Sequence, residues 1–204
     1  MNFLSIESIS HNPSISLFLD NSCIDTRKIQ NNSSQLPEII NKLIPDNKID
    51  INILDYIAVT IGPGSYTGVR VALSLSQGIG YSLGIPLVPI NTMDILHFIS
   101  LGKGNNECIV GFPAYDNNLL YFKINPGIEK KYHMKLKKIE SFKDKTVYGI
   151  GLSKYKDIIN YKKLDFSSIV IGEYSIRNYK SLVSKDIGSI TPVYIDQYQI
   201  DMNS

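Results

Sequence analysis

The sequence predicts an α/β fold in two lobes, the first an antiparallel hairpin sheet extended by parallel crossovers. Three observations carry that prediction. Residues 3–9 and 14–19 read as two strands, the second opening with polar/apolar alternation, and His11-Asn12-Pro13 between them is a turn signal, which makes the pair a hairpin. Leu36, Ile39, Ile40, Leu43 and Ile44 recur at helical spacing. Residues 56–61 form a short apolar run that enters Gly62-Pro63-Gly64 and then a long segment of helical pattern.

The elements follow in order. Residues 23–29 read as a third antiparallel strand. The first helix takes Ser33 or Ser34 as its N-cap, carries Pro37 in its first turn, where a missing N–H costs little, and stops at Pro45. After the strand 56–61, residues 67–84 form the second helix, residues 86–90 a strand, and Thr92 caps a helix running to about residue 101. The order is β-β-β-α-β-α-β-α. The texture changes at Gly102-Lys103-Gly104-Asn105-Asn106, which sets a lobe boundary: residues 1–101 and 102–204. In the second lobe, 108–114, 119–125, 131–138, 146–151 and 168–172 read as strands, with Asn125-Pro126-Gly127 as a turn. Short helical stretches fall at 155–161 and 174–183, and 191–195 reads as a final strand.

Composition narrows the function. Hydrophobic residues make up 43% of the 204 residues and charged residues 20%, a globular balance. With 21 Lys+Arg against 19 Asp+Glu, the net charge of +2 argues against a strongly basic nucleic-acid binder. Two cysteines, Cys23 and Cys108, make no disulfide framework, and His11, His97 and His133 show no H-x-x-x-H spacing, so no metal site and no cofactor are predicted. The N-terminus has no basic region and meets Glu7 early, so a reducing cytoplasm is the expected location. Residues 71–93 are uncharged, but their serines, glycines and Pro86 argue against a membrane span.

The sharpest local feature is Gly62-Pro63-Gly64-Ser65-Tyr66-Thr67-Gly68-Val69-Arg70. No Lys-Ser/Thr follows to make a phosphate loop, the glycines are wrongly spaced for G-x-G-x-x-G, and Ser65 lacks the glycines of a nucleophile elbow. On local rules it is a tight strand-to-helix turn capped by Ser65 or Thr67, or else a contact for an anion or a partner.

This segment, followed by Gln77-Gly78, Pro86 and Asn91-Thr92, resembles the signature of the TsaB (YeaZ) family. The hairpin at the N-terminus and Pro192-Val193-Tyr194 near the C-terminus are similar to the family's ends. The resemblance implies an actin-like ATPase (ASKHA) fold of two related lobes, each a mixed sheet flanked by helices. It also implies a role in tRNA threonylcarbamoyladenosine biosynthesis, as the non-catalytic partner of the paralogue TsaD, joined by the ATPase TsaE, with tRNA engaged indirectly. Departures from the pattern are Ile6-Glu7-Ser8 for Ile-Asp-Thr, Asn32 to Pro37 for the usual His-Ser/Thr motif, Pro113-Ala114-Tyr115 for Asp-Ala-Arg, and Asp196 near a lost terminal Arg. The second lobe is also short.

The second helix supports a partner role by its own composition. Val71, Leu75, Ile79 and Leu83 form one apolar stripe, and Gly68, Ala72, Ser76, Gly80 and Gly84 an adjacent stripe of small residues. Val69, Leu73 and Tyr81 lie to another side, and no charge follows Arg70. Such a helix is buried on all sides, by its own lobe or by a second subunit. The expected interface is Gly68, Val69, Ala72, Leu73, Ser76, Gly80 and Tyr81, with Gly62, Pro63, Gly64, Ser65, Thr67, Gly68 and Arg70 as the loop signature. The same face is expected to drive homodimerisation of the free protein.

Glu7 and Asp94 are the carboxylates nearest the elements that would form a cleft, and Gly149-Ile150-Gly151 is a weak nucleotide loop, so no catalytic residue is assigned. Residues 129–165 hold eleven lysines against five acids, with Tyr132, Tyr148, Tyr155 and Tyr161 among them. That could attract phosphates, or it could be a solvated face reflecting AT-rich codons. The leading reading is a scaffold for TsaD. The alternatives are a stand-alone degenerate phosphotransferase or peptidase, and a tRNA-binding module.

Overall fold

The computed structural model describes residues 1–10, 12–29, 33–102, 108–114, 119–124 and 135–194. His11, the turn at 125–127, most of the segment around the expected lobe boundary, Tyr115 and Asp196 lie outside the described residues. The chain divides into two compact units.

The first unit is Met1–Asn91 with Ser167–Val193. Its sheet has the order β3-β2-β1-β4-β5, built from β1 (Phe3–Glu7), β2 (Ser14–Leu19), β3 (Ser22–Lys28), β4 (Tyr56–Gly62) and β5 (Leu87–Asn91). β1, β2 and β3 pair antiparallel, and β1–β4 and β4–β5 pair parallel. The register places Leu4 beside Leu17 and Ile6 beside Ile15 on one face, and Phe3 beside Phe18 and Ser5 beside Ser16 on the other. Both faces are covered, which is why β1 reads as a continuous buried run rather than an alternating one.

Two helices, α1 (Leu36–Asp46) and α2 (Tyr66–Leu83), share one core with Leu4, Ile6, Ile15, Leu17, Ile57 and Val59. α1 begins after a 3-10 turn, with Gln35 at the N-cap instead of Ser33 or Ser34. Pro45 sits inside its last turn, one residue before the end. α4 (Ser168–Leu182) covers the other face, where Phe3 stacks on Phe18 and Tyr56 at centroid distances of 4.5 and 4.4 Å. Buried serines seat its N-terminus: Ser168 N donates to Ser14 Oγ at 3.0 Å, and the Ser168 and Ser16 hydroxyls lie 2.7 Å apart.

Two sequence expectations are corrected here. Residues 168–172 are the first turns of α4 instead of a strand. Their β-branched residues favour extended chain locally, but the positions buried against the sheet, Ser168, Ile171, Gly172 and Ser175, follow helical spacing. The tail expected as a strand forms none among the described residues 191–194, although Val193 N donates to Ile61 O at 2.7 Å.

The second unit is built on Thr92–Phe166. Its sheet has the order β10-β9-β6-β7-β8, from β6 (Ile109–Pro113), β7 (Leu119–Ile124), β8 (Lys135–Lys138), β9 (Thr146–Gly149) and β10 (Asn160–Lys163). Again three strands run antiparallel and two add in parallel, so the sheet topology of the first unit is repeated. The crossover helices are not. Single 3-10 turns, Ile139–Phe142 and Ser153–Tyr155, stand between β8, β9 and β10. The helical stretch expected at 155–161 is therefore the end of a 3-10 turn leading into β10. α3 (Thr92–Gly102) packs Met93 and Leu96 into the core of this unit with Cys108, Val110, Ile150 and Leu164. The contiguous division at residue 101 differs from these units at both ends: α3 belongs with the second, and α4, far along the chain, with the first. The fold is that of the actin-like ATPases, a repeated mixed sheet flanked by helices.

Candidate functional site: the β4–α2 junction and the outer face of α2

The junction is fixed by its glycines. Gly62 has φ +104°, in the region open to glycine, and a Cβ there would lie 2.9 Å from Val193 O. Gly68 lets the first turn of α2 rest on the carbonyl of Ser8, which a side chain at that position would strike, and Gly64 abuts Ile9 in the same way. Ser8 Oγ in turn donates to Gly68 O at 2.8 Å. Ser65 is the N-cap, its Oγ accepting from Gly68 N at 3.2 Å, so the cap is Ser65 and not Thr67. The signature residues thus lock α2 to the end of β1. Thr67 and Arg70 point outward, and the Arg70 guanidinium lies 4.0 Å from the centroid of the Tyr66 ring.

Glu7 ends β1 at this same junction and is fully buried. Its Oε1 accepts from Ile9 N at 2.8 Å and Ser10 N at 2.7 Å, and Oε2 shares a 2.7 Å hydrogen bond with Ser10 Oγ. Burial pushes the carboxyl up from 4.5 to about 7, and those hydrogen bonds restrain the rise. The carboxylate nearest the expected cleft is thus turned onto the backbone of Ile9 and Ser10.

The expected interface residues fall on two faces of α2. Gly68, Val69, Ala72, Leu73, Ser76 and Gly80 are buried within the first unit. The stripe of small residues lets α2 approach its own unit: Gly80 meets Ile85 O, the Leu87 side chain and Ile187, and Ser76 Oγ donates to Ala72 O at 2.7 Å. Those six positions are corrected to core. Tyr81 alone of the seven is exposed, at 64%. The exposed face consists of Tyr66, Thr67, Arg70, Ser74, Gly78, Tyr81 and Ser82, bordered by half-buried Val71 and Leu75. Sequence reading missed this face because Ser74 and Gly78 are as small as their buried neighbours. Spacing gave the stripes without saying which one the sheet takes.

The other candidates resolve separately. Asp94 and His97 lie on α3, in the second unit. Gly149 abuts Gly111 across the sheet, a packing role instead of a nucleotide loop. Among the described residues no group of three His, Cys, Asp or Glu is placed to hold a metal, and no helix is long and apolar enough to cross a membrane. The lysines of β8, including Lys137 and Lys138, and Lys162 and Lys163 of β10 occupy opposite edges of a five-stranded sheet. At about 4.8 Å per strand the edges are roughly 19 Å apart, and lysine on an edge strand discourages edge-to-edge pairing.

Comparison with known proteins adds the following. Residues 28–123 match a family described as TsaD, tRNA N6-adenosine threonylcarbamoyltransferase. A protein from Buchnera aphidicola subsp. Baizongia pistaciae, named tRNA threonylcarbamoyladenosine biosynthesis protein TsaB, is 28% identical across 82% of this chain and 84% of its own length. A protein of the same name from Buchnera aphidicola subsp. Schizaphis graminum is 38% identical over 58 residues. That match covers 28% of each chain. Among solved structures, YeaZ from Pseudomonas aeruginosa superposes with a TM-score of 0.74 at 16% identity, covering 95% of this chain and all of that one.

Proposed function

Because the chain belongs to the TsaB family of tRNA threonylcarbamoyladenosine biosynthesis proteins, we propose that it is a non-catalytic subunit that docks a TsaD paralogue through the exposed face of α2. The observation that carries the reading is the composition of that face. Seven exposed positions from Tyr66 to Ser82 include one charge, Arg70, and it lies against Tyr66. Two tyrosines flank a floor of Ser74 and Gly78, a pattern that suits close approach of a second helix with aromatic anchors at the rim. The similarity of residues 28–123 to TsaD supports a partner built on the same plan, carrying an equivalent helix. In this reading TsaE joins the pair, tRNA is met through TsaD, the work is cytoplasmic, and the free protein forms a homodimer on the same face. The non-catalytic assignment is supported by Glu7, whose oxygens are taken by Ile9 and Ser10.

The test is co-purification with the TsaD homologue from the same source, alongside a nucleoside assay for threonylcarbamoyladenosine. A stable pair that modifies tRNA only when both chains are present is expected. Ser74→Arg is expected to keep the fold and lose the pair. Modification by TsaD at full rate without this chain, or ATP turnover by this chain alone that Glu7→Ala abolishes, overturns the reading.

A further inference from the structure

After α4 the chain turns back along the first unit as a strap. Ser184 exchanges two backbone hydrogen bonds with Leu87 on the edge strand β5: Ser184 N donates at 2.8 Å and Leu87 N at 3.1 Å. At the far end Val193 N donates to Ile61 O. Between these ties Ile187 and Ile190 are buried in the core shared with α2. A single side chain holds the middle: Gln77 Nε2 donates to Ile187 O at 2.9 Å and to Ile190 O at 3.0 Å. Lys185, Asp186, Gly188 and Ser189 remain exposed. Gly188 lies against the tip of Tyr81, where a Cβ would come within 2.6 Å of the hydroxyl.

We propose that this strap, residues 184–193, is one wall of the docking surface for the TsaD-type partner, and that Gln77 is the positioning residue that sets it. The inference rests on the reading of α2 as the docking helix. An amide nitrogen has two donors, and Gln77 spends both on carbonyls in the middle of the strap, at either end of its 3-10 turn Ile187–Ser189 and between the backbone ties at Ser184 and Val193. The exposed face of α2 passes through Tyr81 directly onto Gly188, so the two form one surface. A partner presenting an equivalent helix to α2 meets the strap wherever it extends past Tyr81.

The test uses the full chain and its TsaD homologue. Affinity is read by calorimetry, and amide exchange across 184–193 by mass spectrometry. Gln77→Leu is expected to speed exchange in the strap and weaken binding about tenfold, while the exchange of β1, β2 and β4 stays at the wild-type rate. Gln77→Lys restores both, because an ammonium donates to both carbonyls, whereas an effect of packing alone would not recover with a charged side chain. Gly188→Ala displaces Tyr81 and weakens binding with the exchange of the strap unchanged. Wild-type affinity in a Gln77→Leu protein whose strap exchanges fast removes the strap from the surface. Unchanged exchange in that variant removes Gln77 as its clasp. Failure of the wild-type protein to bind TsaD at all overturns the α2 reading, and the inference with it.

Discussion

Glu7 shows how much one side chain can be asked to do at a junction. Its carboxyl accepts two backbone amides in a site without solvent, and burial raises it from 4.5 to about 7. Between those two values the unfolded chain has lost the proton and the native chain keeps it. The native state therefore binds more protons, and stability falls as pH rises from 4.5 to 7, then levels. The window corresponds to on the order of 3 kcal/mol. Glu7→Gln keeps an acceptor for Ile9 N and Ser10 N and offers a donor to Ser10 Oγ without a charge to desolvate. Thermal unfolding at pH 4 and pH 8 is expected to show the variant equal to wild type at the first and clearly more stable at the second. Equal melting temperatures at pH 8 would refute this. Two glycines make the matching contrast. Gly68→Ala drives a methyl into the Ser8 carbonyl and is expected to destabilise by more than about 2 kcal/mol. Gly78→Ala has open space around it in a helix interior and is expected to stabilise by about 1 kcal/mol in urea titration.

At the scale of the element, α2 carries two faces that look alike in composition and differ in fate. Ala72 is fully buried, so Ala72→Arg puts an uncompensated charge into the core, and we expect loss of the first unit's cooperative unfolding transition. Ser74, two residues on, is exposed, and Ser74→Arg is expected to leave circular dichroism unchanged while abolishing co-purification with TsaD. If both variants fold equally well, the assignment of faces is wrong. α4 makes the complementary point. Its first residues, Ser-Ile-Val-Ile, favour a strand, yet they are helical because Ser14 and Ser16 hold Ser168 and because Gly172 lets the helix lie on the Phe18 ring.

At the scale of the whole chain, one sheet topology is used twice with different furnishing. The first unit keeps its crossover helices and presents one of them outward. The second replaces them with single 3-10 turns and carries Lys137 and Lys138 on one sheet edge and Lys162 and Lys163 on the other. Among the described residues, the lysines of β8 and those of β10 stand on opposite edges and do not share one stripe. Lys138→Glu with Lys163→Glu, both exposed, is therefore expected to change threonylcarbamoyladenosine formation in a reconstituted system by less than about twofold, in line with exposed charges worth about 0.2 kcal/mol each. A tenfold loss would move the tRNA contact onto this unit.

Local patterning is enough for the order of elements through residue 101, the turn at Gly62-Pro63-Gly64, the Ser65 cap as one of two options and the family resemblance. Those features are local, written in apolar period, turn residues and spacing within a few positions. Tertiary structure alone decided which stripe of α2 faces the sheet, that 168–172 is helix, that α3 packs with the second unit while α4 returns to the first, and that Gln77 clasps carbonyls 110 and 113 residues away. The physical reason is common to all four. Burial and hydrogen-bond partners are supplied by chain distant in sequence, and the same small or β-branched residue satisfies either environment until that distant chain arrives.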